Sequence, residues 1–359
     1  MARQLGRVRE DFPQAEFVAN AAQKLETLEL KERSAQIQKA FTDWAPGTFS
    51  ERCALIVAAL HPEEFANYFA PEWSEEGLTS WSLMPLADFL GNEGRDEPKL
   101  ALASLRELTK RFTAEFAIRP LLAQDAQGVL AELKRWLSDP NHHVRRLISE
   151  GTRPRLPWGM QLREFVQSPA PLLPLLTALR DDPSDYVRRS VANNLNDISK
   201  DHPELVASVA RDWLAGAGRE RTRLVRHACR TLLKKGHPPT LAVFGYEPPV
   251  LDNVILETPR EVVIGEEFAF AVAFQSSDSR LQKLMVDYEV SYQKAGGRQS
   301  GKVFKGTKVD LTAGEAFRWR KSHSFQPVTV RRLYPGAHAI TILVNGLAVA
   351  TGEFMLLAG

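Results

Sequence analysis

The chain has 359 residues, 44% hydrophobic and 25% charged, a composition that excludes wholesale disorder, collagen and a coiled-coil rod and fits about two globular domains. No apolar run approaches the roughly 20 residues of a bilayer span, the stretch MARQLGRVREDFPQAEF is too polar for a signal-peptide core, and Cys53 and Cys229 are too few for a disulfide framework or a CxxC zinc site, so a cytoplasmic chain is expected. The formal net charge of +2 divides into −7 over residues 1–100, +8 over 101–240, −1 at Glu247 and +2 over 251–359, and a basic middle beside an acidic start points to nucleic acid as a partner.

Up to about Thr240 the apolar residues recur at helical spacing, as in FVANAAQKLETLELKERSAQIQKAF and LALASLRELTKRF, broken by Pro, Gly and Asp-Pro. This part is expected to be all-helical. Within it, WLSDPNHHVRRLISEG and LRDDPSDYVRRSVANNLND place matching Asp-Pro pairs at Asp139 and Asp182, 43 residues apart, and Val225-Arg226 follows Val187-Arg188 by 38. Such periods predict a HEAT-like repeat solenoid, each unit burying its apolar stripe against its neighbours. Asp139 and Asp182 are expected to cap the next helix, with Pro140 and Pro183 in its first position.

Helical register then sorts the faces. Val144, Leu147, Ile148 and Gly151 form one inner stripe and Val187, Val191, Leu195 and Ile198 the next. That leaves Arg146, Glu150 and Arg153 outside in one copy and Arg189, Asn193 and Asp197 in the other, stacked along one concave surface. Further on, Arg219, Arg223, Arg226, Arg230 and Lys234 fall on one face of a helix whose Leu224, Ala228 and Leu232 point inward. Such a row is either a solvated helix face or a row of phosphate contacts.

After Tyr246-Glu247-Pro248-Pro249 the pattern becomes short and alternating, in EVVIGEEFAFAVAF, KLMVDYEVSYQ, FRWRKSHSF and HAITILVNGLAVATGEFML, with turns at Ala295-Gly296-Gly297, Pro335-Gly336 and Asn345-Gly346. About seven strands predict an immunoglobulin-like β-sandwich without the inter-sheet disulfide of antibody domains. The expected domains are 1–247 and 248–359.

The segment SEGTRPRLPW, Ser149 to Trp158, brings Glu150, Arg153, Arg155 and Trp158 together at a Pro-containing turn. One reading is a tight turn in which Glu150 pairs with Arg146 or Arg153 and Trp158 lids the core. The other is a carboxylate beside an aromatic wall, suited to a cationic ligand on an anionic backbone. Glu115 lies 35 residues before Glu150 and Asp197 lies 47 after it, close to one repeat on either side. His142, His143, His202 and His227 lack metal-ligand spacing, and no phosphate-binding loop, GxSxG elbow or zincin motif occurs, so no metal and no cofactor is implied.

The stretches FAIRPLL, DPNHHVRRLISEGTRPRLPW, DPSDYVRRSVANNLNDISKDHP and VRHACRTLLKKGHP resemble the AlkC-type DNA alkylation repair glycosylases, a HEAT-like repeat family related to the AlkD type. LETLELKER is similar as well, and the β half falls where some members carry a C-terminal immunoglobulin-like domain. The resemblance implies a monofunctional glycosylase that removes 3-methyladenine, 3-methylcytosine and 1-methyladenine from double-stranded DNA without drawing the base into a deep pocket, leaving an abasic site. It implies catalytic acids at Glu115, Glu150 and Asp197, a lesion contact at Trp158, and backbone contacts from Arg146, Arg153, Arg189 and the basic helix.

The residues suit that chemistry. A methylated ring nitrogen makes the base a cationic leaving group, so what remains is to stabilise charge on the sugar and to place water, and carboxylates do both. Arg298, Lys302, Lys305, Lys308, Arg318, Arg320, Lys321, Arg331 and Arg332 are expected to supply the sandwich's DNA contacts, and the protein is expected to be a monomer with no membrane partner. The competing readings are a non-enzymatic HEAT-repeat scaffold and a sensor of damaged DNA.

Overall fold

The computed structural model describes residues 1–64, 75–327 and 332–359. In chain order the helices are α1 Ala2–Val8, α2 Gln14–Ala21, α3 Leu30–Trp44, α4 Phe49–Ala58, α5 Met84–Glu93, α6 Pro98–Leu108, α7 Arg119–Gln124 and α8 Ala126–Arg135. They continue as α9 His142–Gly151, α10 Arg163–Gln167, α11 Leu173–Leu179, α12 Asp185–Ile198, α13 Pro203–Leu214, α14 Arg219–Ala228, α15 Arg230–Lys235 and α16 Pro238–Val243. The strands follow: β1 Leu251–Glu257, β2 Glu261–Val263, β3 Glu267–Ser276, β4 Gln282–Gln293, β5 Gln299–Leu311, β6 Ala316–Ser324, β7 Gly336–Val344 and β8 Leu347–Leu357. No described helix is long and apolar enough to cross a membrane.

By contacts the chain divides into two compact units, Met1–His202 with Gly216–Ala228, and Pro203–Ala215 with Cys229–Gly359. In the first, both expected inner stripes are buried, from Val144 to Gly151 and from Val187 to Ile198. Polar stitches join α9 to α12: Ser149 Oγ donates to Ser190 Oγ at 2.7 Å and Asn194 Nδ2 to the Ser149 carbonyl at 2.8 Å.

The Asp-Pro pairs work differently from the expected cap. Helix α9 is capped by Asn141, whose side chain accepts from His143 N, and α12 begins after Ser184. Asp139 and Asp182 each accept the N–H two residues on, at 2.9 Å, closing a turn before the helix. Each also receives an arginine from the preceding repeat: Arg106 meets Asp139 and Arg145 meets Asp182. In the third, looser copy Arg188 reaches Glu220 at 2.9 Å instead. Arg145 and Arg188 additionally donate to the carbonyls of their own Asp-Pro turns. The first arginine of each Arg-Arg pair is thus a staple between repeats, and the second points another way.

In the second unit β1-β3-β6 form one sheet and β2-β8-β7-β4-β5 the other. Alternation puts Phe268, Phe270, Val272 and Phe274 of β3 inside, facing Ile340, Ile342 and Val344 of β7 in a common core. The β7–β8 hairpin closes on Asn345-Gly346, both at positive φ (49° and 80°), the two-residue turn that Asn-Gly predicts. Asn345 accepts from Met285 N and donates to the Lys283 and Glu247 carbonyls, which fixes the linker onto the sandwich. Gly346 lies so close to α15 that a Cβ there would fall 1.7 Å from the Gly236 carbonyl oxygen. Helices α13, α15 and α16 therefore belong with the sandwich by packing, although their sequence texture is that of the helical half.

Candidate active site and nucleic-acid interface

Four of the expected residues, Glu115, Glu150, Arg153 and Trp158, line one cavity of about 290 Å³ in the first unit. Trp81, Phe112 and Phe116 add aromatic walls, and Leu30 and Lys31 reach it from α3. Glu150 sits at the end of α9 and is 5% exposed. Its Oε1 accepts from Arg153 Nη1 at 2.7 Å, with Arg146 Nη2 at 3.5 Å, and its Oε2 accepts from Ser190 Oγ at 2.7 Å. Burial alone pushes its carboxyl up, but Arg146, Arg153 and the Ser190 hydroxyl together outweigh burial and hold it below the usual glutamate range. Glu150 is therefore an anion at neutral pH.

Glu115 is half-buried. Its Oε2 takes Arg146 Nη1 and the Thr113 hydroxyl, and among the described residues no hydrogen bond engages its Oε1. Asp197 stands one layer behind the cavity wall, where it accepts from Arg153 Nε at 2.7 Å and Lys200 Nζ at 2.9 Å. Of the six residues expected to face outward, Arg146, Glu150, Arg153 and Asp197 form a largely buried ion-pair network, because each carboxylate finds a guanidinium from α9 or the turn after it, while Arg189 is exposed and Asn193 half-buried. The tight-turn reading holds in part: Glu150 is paired with both arginines, yet Trp158 is no lid on the core, being 75% exposed.

Trp158 adopts φ 63°, a left-handed conformation that costs a non-glycine residue about 1–2 kcal/mol. Its loop is held from beneath by Arg119, which is fully buried and donates to the carbonyls of Gly151 and Arg153 at 2.9 Å each and to that of Met160. Burial, reinforced by the charge of Arg153, lowers the Arg119 guanidinium to about 10, still well above neutrality. Sequence reasoning missed Arg119, Ser190, Lys31 and Trp81. The signal for Arg119 was present, a lone arginine inside the apolar run FAIRPLL.

The remaining candidates disperse. Arg155 is held by Asp201 through two bonds of 2.7 and 2.8 Å. Arg189 is exposed beside Asp185 at 3.1 Å, and together with Arg188, Arg223 and His227 it lines a groove of about 280 Å³ between α12 and α14. The five-cation row spans two helices. The backbone turns at Cys229 (ψ 3°), so Arg219, Arg223 and Arg226 lie on α14 while Arg230 and Lys234 lie on α15. Leu224, Val225 and Ala228 bury in the first unit, whereas Cys229 and Leu232 bury in the second, and this divides the row.

On the sandwich, Lys302, Lys305 and Lys308 lie on edge strand β5 and Arg318, Arg320 and Lys321 on edge strand β6. Lys305 pairs with Asp287 at 2.7 Å and Arg318 with Glu257 at 3.1 Å, while Arg298 and Arg332 are exposed. Arg331 lies outside the described residues. Among the described residues no cluster of three or more His, Cys, Asp or Glu is placed to hold a metal ion.

A family model described as the C-terminal Ig-like domain of the uncharacterised protein YhaZ matches residues 253–358. The chain is 36% identical over 325 residues to YhaZ of Bacillus subtilis strain 168, spanning 89% of this chain and 85% of that protein. It is also similar to the solved structure of Pseudomonas fluorescens alkylpurine DNA glycosylase AlkC bound to DNA containing an abasic site analog. The TM-score is 0.78 at 34% identity, covering 99% of this chain and 95% of that one. With a helical-repeat region leading into an Ig-like sandwich and this identity sustained end to end, the chain belongs to the AlkC family.

Proposed function

We propose that the protein is a monofunctional DNA glycosylase that hydrolyses the N-glycosidic bond of cationic N-methylated bases in duplex DNA: 3-methyladenine, 3-methylcytosine and 1-methyladenine. The observation that carries the reading is the ionised Glu150 and the partly open Glu115 on the wall of an aromatic cavity rimmed by an exposed Trp158. The bound DNA of the Pseudomonas relative supports DNA as the substrate class.

The leaving base carries its own positive charge, so its departure with the bonding electron pair needs no strong general acid. Charge then develops on the sugar at C1′. Two anionic side chains facing that position stabilise it, and the free Oε1 of Glu115 orients the attacking water and takes its proton. Asp197 acts through Arg153 and is a positioning residue. Trp158 lies against the lesion nucleotide, and its π face favours the cation. Arg189, Arg223 and Arg226 of the first unit and the β5 and β6 cations of the second bind backbone phosphates. The protein acts as a cytoplasmic monomer.

The test is release of free base from duplex DNA carrying a defined N-methylated base. Release by the intact protein that is lost in Glu150→Gln with DNA binding retained is the expected result. Tight binding without release by the intact protein would make it a damage sensor instead.

A further inference from the structure

We infer that Lys31 is the positioning residue that holds Trp158 at the mouth of the cavity, an assignment that rests on the glycosylase reading for its effect on rate. Lys31 belongs to LETLELKER, the stretch whose Leu30 and Lys31 reach the cavity from α3. A capping box between Glu29 and Glu32 starts α3 and fixes Lys31 in its first turn. A cation there opposes the positive end of the helix dipole, so helix formation gives no reason for it. Among the described residues no carboxylate lies within ion-pair distance of it either.

What Lys31 does contact is Trp158. Its Nζ donates to the Trp158 main-chain carbonyl, 127 residues away in sequence, and stands 5.5 Å from the centroid of Phe116 on the cavity wall. Arg119 grips the carbonyls at 151, 153 and 160 but not the one at 158. Among the described residues, Lys31 supplies the hydrogen bond on Trp158 itself. The indole is largely in solvent, so packing does not orient it. Ring direction is then set by the backbone, which is held in its left-handed conformation between Arg119 below and Lys31 across the cavity. Without Lys31 the residue is free to relax to ordinary φ and swing the indole off the rim.

The experiment uses the full chain with Lys31→Met, Lys31→Arg and Trp158→Phe, the double variants Lys31→Met/Trp158→Phe and Lys31→Arg/Trp158→Phe, and Trp158→Ala with its Lys31→Met/Trp158→Ala double variant. The emission and acrylamide quenching of Trp158 are isolated by subtracting, for each residue at position 31, the signal of the protein that also carries Trp158→Phe. Lys31→Met is expected to alter that difference signal and Lys31→Arg to restore it. In single-turnover base release at saturating DNA, Lys31→Met is expected to lose about tenfold with DNA affinity changed less than about twofold, and to add nothing in the Trp158→Ala background.

An unchanged difference signal, or losses that multiply in the double variant, would overturn the assignment. So would weaker DNA binding with an unchanged saturating rate, which would make Lys31 a phosphate contact. If the wild type releases no base, the glycosylase reading fails, and the fluorescence comparison still decides the role of Lys31.

Discussion

Glu150 and Arg153 meet at 2.7 Å, each less than a tenth exposed, and the same arginine holds Asp197 at 2.7 Å on its other side. One guanidinium thus bridges two buried carboxylates, to which Arg146 and Lys200 add a second cation each. Glu150→Gln leaves Arg153 with Asp197 alone, and because the charges are buried the loss of stability is expected to be of the order of 3 kcal/mol. Base release should fall at least about 100-fold with DNA affinity nearly unchanged. Melting curves and single-turnover assays on the same preparation separate the two effects, and undiminished release would remove Glu150 from the catalytic group.

Trp158 gives the opposite pattern. Since its ring is exposed and its φ positive, Trp158→Ala should change stability by less than about 0.5 kcal/mol, and Trp158→Gly should be at least as stable as Trp158→Ala. Both should reduce base release. A large drop in melting temperature for either would show that the indole packs as a lid after all.

The depressed carboxyl of Glu150 makes a statement about pH. A group whose folded value lies below its unfolded one adds stability that is fully present above the unfolded value and lost as pH falls through the folded one. Stability should therefore decline from the ordinary glutamate range downward, and Glu150→Gln should flatten that part of the curve. Denaturant unfolding across acid pH checks this, and parallel curves for the two proteins would contradict it.

For the nucleic-acid interface, Arg223→Ala and Arg226→Ala should each reduce the steepness of the salt dependence of DNA binding by about one unit in log–log slope. Arg145→Ala should leave the slope unchanged and lower stability instead, because its guanidinium is committed to Asp182. Fluorescence titrations between low and moderate salt read both. An equal slope change for Arg145 would mean that the staple opens on DNA.

In the second unit, Gly346→Ala places a methyl against the Gly236 carbonyl at a position with φ 80°. The expected loss is about 2 kcal/mol or more. Gly236→Ala meets its nearest neighbour, Gly346 Cα, at 3.3 Å and should lose only about 1 kcal/mol, chiefly from its own positive φ. Thermal melts rank the pair, and equal losses would argue against the close approach.

Much of this was legible in the chain. The repeat, its inner stripes, the alternation of the strands and the Asn345-Gly346 turn follow from periodicity and turn chemistry, which are local. The closeness of Glu150, Arg153 and Trp158 was also legible, since a single short turn contains them. What local pattern does not carry is direction across repeats. Arg145 and Arg146 are adjacent letters, yet one reaches 37 residues forward to Asp182 and the other packs against Glu115 and Glu150. The partners of Lys31 and Arg119 were illegible for the same reason, because each acts on backbone carbonyls far along the chain and carbonyls have no sequence signature, even though Arg119 itself stands out in FAIRPLL. The break at Cys229 escaped because the spacing of Leu224, Ala228 and Leu232 is helical straight through it.

The arginine staples bear on the site in a mechanical way. Glu115, Glu150 and Ser190 come from three successive stretches of the helical region, and the offset between the last two is maintained beside the Arg145–Asp182 staple. That staple works as a ruler. Shortening it, as Arg145→Lys would, changes no group that touches substrate, yet it resets the gap across which Ser190 must reach Glu150.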